Sequence, residues 1–360
     1  MNKNKRNKVL IWSSSVSDLF EGKAYGIAVQ LYFWAQAFVD NGWDVQTLTK
    51  GKSIVRGGIR LNKYIHWGKL EIIHEWLSIF WKLLTYRPKL LISRGADRVV
   101  YPLATIAHWF GVKYVLFGAS DVNFEPGKEL ITGGMHNRLL WQKAIKKTQY
   151  IIVQNAYQQN TLKNNFNKDS LILFNIWGAK DGISNRSRQT DVVWVANFRR
   201  LKRAEWFLHA AMAMPEYDFT FVGGPSDKEH NYYEDIKEKA NTIGNLHFLG
   251  GKSFIETNSI VSRSRLLCCT STFEGFPNTF LQAWSNNVPV VSTVNPSDLI
   301  TKYQLGKVVE SEEGFQQQIR HLLQDESIYR TLQLCIGDYF AANHSSKVNF
   351  NKLLKYIDIV

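Results

Sequence analysis

The chain has 360 residues, of which 45% are hydrophobic and 13% aromatic, and a formal net charge of +13. This length is typical of two domains with ordinary cores, and the composition excludes collagen-like and low-complexity proteins. Residues 1–186 carry a net charge of +14 and residues 187–360 a net charge of −1. The first half therefore either meets an anionic partner, such as nucleic acid, acidic lipid or a phosphorylated substrate, or has a lysine-rich solvated surface.

Cysteine usage and hydropathy predict a cytoplasmic protein. Cys268, Cys269 and Cys335 form neither a metal-binding nor a disulfide pattern, and the first two lie in an apolar run typical of a buried strand. The apolar stretch 9–12 is too short for a signal-peptide core, and no window approaches the roughly 18–20 apolar residues of a spanning helix. We expect contact with a membrane, if any, to be peripheral, at its inner face.

The first half alternates short apolar runs with helical patterns. Helices are predicted over 26–42 and 99–111, each ended by a glycine. Such alternation predicts a parallel sheet with helices on both faces. The predicted strands are 9–13, 44–49, 89–93, 112–118, 149–153 and 170–174.

A second alternating series follows a polar segment at 176–190. Its predicted strands are 191–197, 217–224, 245–250, 264–271, 288–293 and 307–310. We therefore predict an α/β protein with two doubly wound, Rossmann-like domains facing across a cleft, where ligands bind beyond the carboxyl ends of the strands. The predicted parts are an N-terminal domain (1–178), a linker (179–190), a C-terminal domain (191–345) and a C-terminal helix (346–360) that packs back on the N-terminal domain.

Familiar nucleotide-binding motifs are incomplete. The Gly-Lys-Ser sequences at 51–53 and 251–253 lack the preceding P-loop glycine, and no G-x-G-x-x-G follows the first strand. Gly22 and Gly26 flank a strand-to-helix turn whose free N–H groups favour an anion, although glycine there also serves a turn alone. Because no metal-ligand motif is present, we expect no metal site and no cofactor, so that cationic side chains and helix ends would meet any phosphate.

The most informative segment is 270–293. An apolar strand runs into a Ser/Thr loop, then Glu274-Gly275-Phe276-Pro277-Asn278, then a helix with Pro277 suited to its first turn. Glycine permits close backbone approach, a helix N-terminus offers donors to a diphosphate, and Glu274 can accept from hydroxyl groups. A phosphorylated polyol would suit this loop.

This segment resembles the E-x7-E signature of the retaining glycosyltransferases of family 4, which have the GT-B fold. The resemblance implies that Glu274 contacts the transferred sugar and that the backbone of Gly275, Phe276, Pro277, Asn278 and Thr279 holds sugar and phosphate. The second acid of the signature, which grips the ribose, is replaced here by Gln282. An amide can still bond two hydroxyl groups, without charge assistance.

A second match lies at 192–211. In the family this strand is followed by an arginine and, five residues later, a lysine, which neutralise the donor diphosphate. Lys202 occupies the lysine position, but Asn197 stands at the arginine position, so that Arg199 or Arg200 would replace it. The alternative is a solvated basic turn before a helix.

Weaker matches extend the resemblance through most of the chain. Gly22 and Gly26 belong to a segment similar to the glycine-bearing first loop, and Asn175 matches the asparagine that closes the N-terminal domain. Where many members carry a histidine in the sugar pocket, only Asp121 is titratable. The loop containing Gly223 and the segment containing Gly251, Lys252 and Phe254 are similar to the family's loops around the nucleotide.

The resemblance implies metal-independent transfer of a sugar from a nucleotide diphosphate sugar to a saccharide or lipid-linked acceptor, with retention, in cell-surface polysaccharide or glycolipid synthesis. Glu274, Lys202 and Asp121 are the candidate catalytic residues. Two alternatives are a nucleotide-sugar epimerase, with Asp121 or His136 as base, and a non-catalytic sugar binder, suggested by Gln282.

The helical stretch 69–89 is apolar nearly all round, which is typical of a buried helix. In the alternative interpretation, part of it lies on an anionic membrane that carries a lipid-linked acceptor. The basic residues that would support this are Lys63, Lys69, Lys82, Arg87 and Lys89. No nucleic-acid partner is expected, because no basic stripe with stacking aromatics accompanies a known binding motif.

Overall fold

The structure of the chain is a computed structural model. It describes residues 6–21, 26–50, 52–64, 71–129, 131, 134–178, 189–226, 229–274 and 276–359. The chain divides into two compact units, the first made of Met1–Ile176 with Ser346–Val360 and the second of Trp177–Ser345. Most of the predicted linker, residues 179–188, lies outside the described residues.

The first unit is built on an eight-stranded sheet with the order β3-β4-β2-β1-β5-β6-β7-β8, in which β3 alone is antiparallel to its neighbour. The strands are β1 (Lys8–Trp12), β2 (Asp44–Thr49), β3 (Ile54–Arg56), β4 (Ile59–Lys63), β5 (Leu90–Arg94), β6 (Lys113–Phe117), β7 (Tyr150–Val153) and β8 (Leu171–Ile172). The helices are α1 (Gly26–Asp40), α2 (Glu71–Tyr86), α3 (Val100–Trp109), α4 (Gly134–Lys147), α5 (Ala156–Phe166) and, from the end of the chain, α13 (Ser346–Tyr356).

Hydrophobic patterning explains this sheet. The central residues of β1 and β5 are fully buried, as expected for parallel strands covered on both faces. α1 and α3 are followed by Gly42 and Gly111 at φ of +78° and +64°, a left-handed conformation that glycine adopts without strain. The hairpin of β3 and β4 was not among the predicted strands.

Helix α2 differs from the expectation that it is buried nearly all round. Ile79 and Leu83 are buried, whereas Leu77 and Trp81 are 59% and 65% exposed. The expectation is wrong for this face because α2 packs on the unit along one side only. On its other side, no described residue covers these apolar side chains. A helix that is apolar on most sides is therefore not necessarily buried.

The second unit contains a fully parallel six-stranded sheet with the order β11-β10-β9-β12-β13-β14. Its strands are β9 (Thr190–Val195), β10 (Phe219–Val222), β11 (Leu246–Phe248), β12 (Ser264–Cys269), β13 (Val290–Ser292) and β14 (Gly306–Val308). Its helices are α6 (Ala204–Ala213), α7 (His230–Ala240), α8 (Phe254–Ser262), α9 (Asn278–Trp284), α10 (Leu299–Lys302), α11 (Glu312–Gln324) and α12 (Glu326–Asn343).

The predicted fold class of two parallel-sheet α/β domains is confirmed. In each unit the strand order reverses beside the first strand of the series, at β1 and β5 in one sheet and at β9 and β12 in the other. Among the described helices, none has the length and apolar character needed to cross a lipid bilayer.

Candidate active site

A pocket of about 370 Å³ opens at the carboxyl ends of β9 and β12 in the second unit. These strands are parallel neighbours, with Leu267 opposite Val193, and the strand order reverses between them. Open α/β sheets bind ligands at such a reversal. The pocket is lined by Trp194, Val195, Ala196, Asn197, Arg199, Lys202, Cys268, Cys269, Ser271, Glu274, Phe276, Pro277, Asn278 and Thr279.

Lys202 and Glu274 form an ion pair inside this pocket. The Nζ atom of Lys202 donates to Oε1 of Glu274, and the Ser271 hydroxyl donates to the same oxygen at 2.9 Å. The side chains of Lys202 and Glu274 are 16% and 21% exposed. The structure thus brings together a cation and a carboxylate that were predicted from separate segments.

The two arginines proposed to replace Asn197 have different surroundings. Arg199 lines the pocket together with Asn197 and Lys202. Arg200 instead lies over the ring of Tyr232, 5.3 Å from its centroid. Its backbone N–H donates to Glu229 at 2.6 Å. Arg199 is therefore the one of the two that can contact a ligand in the pocket beside Lys202.

Arg203 joins the two loops that form the pocket and was missed by sequence reasoning. Its backbone is left-handed, with φ of +45°. Its guanidinium donates to the Thr270 carbonyl at 2.7 Å and the Ser271 carbonyl at 3.3 Å. In return, the Thr270 hydroxyl donates to the Lys202 carbonyl at 2.6 Å. The sequence signal that could have revealed Arg203 is its position as the third basic residue of the run Arg200-Leu-Lys-Arg203, directly before α6.

The start of α9 and the two residues before it form part of the pocket wall. Phe276, Pro277, Asn278 and Thr279 all line it, and Pro277 immediately precedes the helix. Gly275 lies outside the described residues.

Gln282 occupies a different environment from the start of its helix. It is 4% exposed and is not among the lining residues of the pocket. Its side-chain Nε2 is buried and has no hydrogen-bond partner among the described residues. The amide predicted to grip a ribose is therefore an unsatisfied donor buried one turn into α9.

The glycines predicted to hold the nucleotide lie where neighbouring loops pack closely. A Cβ atom on Gly223 would fall 1.7 Å from the carbonyl oxygen of Ala196, so this position requires glycine. A Cβ atom on Gly251 would be 3.6 Å from Cα of Gly224, an ordinary contact. Neither glycine lines the pocket.

The two remaining residues of the predicted nucleobase segment also lie outside the pocket lining. Lys252 is exposed. Phe254 packs against Trp177, with ring centroids 5.5 Å apart.

The other predicted site residues belong to the first unit. Oδ1 of Asp121 accepts hydrogen bonds from Asn155 at 3.0 Å and Gln158 at 2.9 Å. Gly26 begins α1, and Gly22 lies outside the described residues. Asn175 accepts a hydrogen bond from the buried Arg94 at 2.7 Å. A role for Asp121 at the sugar stays a prediction.

The chemistry available in the pocket is that of cations, a carboxylate and hydroxyl groups. Burial raises the pKa of the Cys269 thiol, so this side chain is a neutral part of the wall at physiological pH. Within the ranges that the structure describes, no group of three or more His, Cys, Asp or Glu side chains is arranged to hold a metal ion.

The sequence of the second unit matches a known protein family. A family model described as glycosyl transferases group 1 matches residues 189–325, a range that contains every lining residue of the pocket. A comparison with curated proteins found no significant match.

The whole fold is similar to that of several solved glycosyltransferase structures. Sucrose-phosphate synthase from Thermosynechococcus elongatus is 13% identical with a TM-score of 0.72, over 97% of this chain and 98% of that one. HepE from Anabaena, in complex with UDP and glucose, is 13% identical with a TM-score of 0.70, over 99% and 100%. A glycosyltransferase from Rickettsia africae is 13% identical with a TM-score of 0.72, over 99% of each chain. The fold is therefore that of GT-B glycosyltransferases, and the family-model match supports sugar transfer as the activity.

Proposed function

We propose that this protein transfers a sugar from a nucleoside diphosphate sugar to a hydroxyl group of a saccharide or lipid-linked acceptor, with retention at the anomeric carbon. The observation that carries the proposal is the convergence of Arg199, Lys202 and Glu274 on one pocket. A nucleotide sugar offers such a pocket a diphosphate for the two cations and hydroxyl groups for the carboxylate. The family-model match covers all three residues.

In the proposed reaction, the bond between the anomeric carbon and the phosphate oxygen breaks, and the acceptor oxygen bonds to the same face of the sugar. The acceptor proton passes to the departing phosphate oxygen, so no protein base is required. Lys202 and Arg199 neutralise the negative charge that develops on the diphosphate, and we propose that no metal ion is needed. Glu274 accepts a hydrogen bond from the sugar, and Ser271 holds its carboxylate in place.

The test measures nucleotide release from a panel of nucleotide sugars with saccharide acceptors. We expect Lys202→Ala and Glu274→Ala each to lower turnover by about 10²–10³, as is typical when one aimed electrostatic group is removed. The control is Lys237→Ala, which removes an exposed cation on α7 that pairs with Glu234. Near-wild-type turnover in both pocket variants would refute the site assignment.

One observation favours a second candidate, a non-catalytic nucleotide-sugar binder. Gln282 replaces the second acid of the signature, so a nucleotide would lack one charge-assisted hydrogen bond. This candidate predicts binding of a nucleotide sugar by calorimetry with no product in the presence of any acceptor. Formation of a glycosylated acceptor would exclude it.

A further inference from the structure

Arg203 has a backbone conformation that is unfavourable for arginine. It lies between the turn Arg200–Lys202 and helix α6, and its backbone is left-handed, with φ of +45° and ψ of +56°. In this conformation the Cβ atom of an ordinary residue crowds the backbone, whereas glycine adopts it freely. Such strain persists where the surrounding contacts outweigh it, and it clusters at functional sites. The contacts of the Arg203 side chain therefore offset a cost that glycine would not have.

These contacts connect the arginine to the loop that ends in Glu274. The guanidinium group donates to two successive carbonyl oxygens of that loop, those of Thr270 and Ser271. It also lies over the ring of Trp206, 4.2 Å from the ring centroid. A guanidinium group carries its N–H donors in a rigid fork, and stacking on an aromatic ring fixes its plane. Arg203 thus presents fixed donors to two consecutive peptide groups, a geometry that a flexible lysine side chain lacks.

The same loop holds the backbone of Lys202 in return. The Thr270 hydroxyl donates to the Lys202 carbonyl at 2.6 Å and accepts from the indole N–H of Trp194 at 3.0 Å. Close by, the Thr272 N–H donates to the Leu201 carbonyl at 2.8 Å. Hydrogen bonds therefore run in both directions between the segment that carries the cation and the segment that carries the carboxylate.

We propose that Arg203 is a positioning residue that aligns Glu274 with Lys202 for sugar transfer. It does not line the pocket, so it acts through the loop and not on the ligand. Its route to the carboxylate is short, because the Ser271 carbonyl accepts from Arg203 and the Ser271 hydroxyl donates to Glu274. The effect on the reaction rests on the proposed function, whereas the hold of Arg203 on the loop does not.

The test replaces Arg203 with glycine, which removes the side chain and relieves the strained backbone. We expect Arg203→Gly to lower kcat for sugar transfer by about tenfold to 10²-fold, because a shift of about 1 Å in a catalytic group can cost that much. KM for the donor should change less than about twofold, since all lining residues of the pocket remain. The control, Arg263→Gly, should keep the wild-type kcat, because Arg263 donates to the Ser259 carbonyl at 3.2 Å and does not line the pocket.

Hydrogen exchange at the Thr272 amide reports the contact between the two segments independently of activity. We expect this amide to exchange at least about tenfold faster in Arg203→Gly, as in a local opening, while amides in the middle of β12 keep wild-type protection. Should the glycine variant fail to fold, Arg203→Lys keeps the charge without the forked geometry and carries the same measurements.

The proposal is refuted if the Thr272 amide exchanges as in the wild type, or if kcat falls no further in Arg203→Gly than in Arg263→Gly. It is also refuted if KM rises as much as kcat falls, because Arg203 would then act on donor binding. A wild type that transfers no sugar from any nucleotide sugar would refute the proposed function instead, and exchange at Thr272 would still show whether Arg203 holds the loop.

Discussion

Ser271 connects the wall of the pocket to its carboxylate. Its hydroxyl donates to Oε1 of Glu274 at 2.9 Å, and Ser271 itself is buried. A hydrogen bond to a charged group contributes about 1.5–3 kcal/mol. We therefore expect Ser271→Ala to lower kcat for sugar transfer by about tenfold or more, with little change in KM for the donor, because Glu274 is misplaced but the cations remain.

The control for this prediction is Ser262→Ala. The Ser262 hydroxyl donates to the Ser259 carbonyl in the same helix, α8, at 2.8 Å. Steady-state kinetics of both variants would decide the matter. Unchanged kcat in Ser271→Ala would show that the hydroxyl does not position Glu274.

Replacing the Gln282 side chain should affect the folding stability and the nucleotide affinity in opposite directions. Its Nε2 is buried without a partner among the described residues, and an unsatisfied buried donor costs about 1–3 kcal/mol. Gln282→Leu removes that donor, so we expect the variant to melt no lower than the wild type. If the amide bonds the ribose, the same variant should bind the nucleoside diphosphate of the donor up to about tenfold more weakly, since one hydrogen bond is lost. Thermal melts and calorimetry with that nucleotide test both effects, and equal nucleotide affinity would contradict the ribose role.

Asp97 provides a prediction about pH. Its Oδ1 accepts a hydrogen bond from the Val99 N–H at 3.1 Å, just before α3. Burial raises the pKa of its carboxyl above the ordinary 3.8. The folded protein therefore holds this proton more tightly than the unfolded chain, and the stability that this contributes is lost as the pH rises through the raised value.

We expect Asp97→Asn to melt higher than the wild type at neutral pH, because the amide oxygen can accept the same hydrogen bond without a charge. The difference should shrink as the pH is lowered through the raised pKa, because the wild-type carboxyl then takes up its proton. Melting curves across this range test the prediction, and a difference independent of pH would contradict it.

Individual residues show where sequence reasoning ends. Lys202 and Glu274 could be predicted because each belongs to a local motif with a known spacing. Arg203 could not, because its contacts with Thr270 and Ser271 exist only once β9 and β12 are neighbours. The choice of Arg199 over Arg200 likewise depends on Tyr232, which lies on α7 and is distant in sequence.

At the scale of elements, α13 shows how a terminal helix stabilises a distant part of the chain. Phe350 is 3% exposed and packs edge to face on Phe38 of α1, with ring centroids 5.0 Å apart. Lys113, at the start of β6, also donates to the carbonyl oxygens of Ile357 and Asp358, just beyond the helix. The first unit therefore needs the end of the chain to complete its core.

We expect Phe350→Ala to destabilise the first unit by about 3–5 kcal/mol, the usual cost of deleting a buried aromatic ring. Val348→Ala is the control, since Val348 lies on the same helix and is 36% exposed. Hydrogen exchange should show faster opening of α1 in Phe350→Ala, with the second unit unaffected. Equal loss of protection in both units would mean that they unfold together.

Strands and helices could be predicted from the sequence where the pattern of apolar residues was strong. Each of the twelve predicted runs overlaps a strand of the two sheets, because a buried parallel strand is apolar on both faces. The β3–β4 hairpin was missed because β3 is exposed along its length and lacks that signature. α2 was located correctly as a helix, but the spacing of its apolar residues does not determine which of its faces is covered by neighbouring elements.

At the scale of the whole molecule, the division of charge follows the division of the chain. The half with a net charge of +14 contains helix α2 with its exposed apolar residues, whereas the half with a net charge of −1 contains the pocket. In the proposed function, Arg199 and Lys202 would meet a diphosphate in a partly enclosed site.

Salt provides a test of how the pocket attracts a diphosphate. Between about 0.1 M and 1 M NaCl the screening length falls from about 10 Å to 3 Å, which weakens exposed charges far more than partly buried ones. In the proposed function, binding of a nucleoside diphosphate, measured by calorimetry, should therefore fall only several-fold over this range, because Lys202 is 16% exposed. A much larger fall would show that the diphosphate is held by the bulk charge of the chain and not by Arg199 and Lys202.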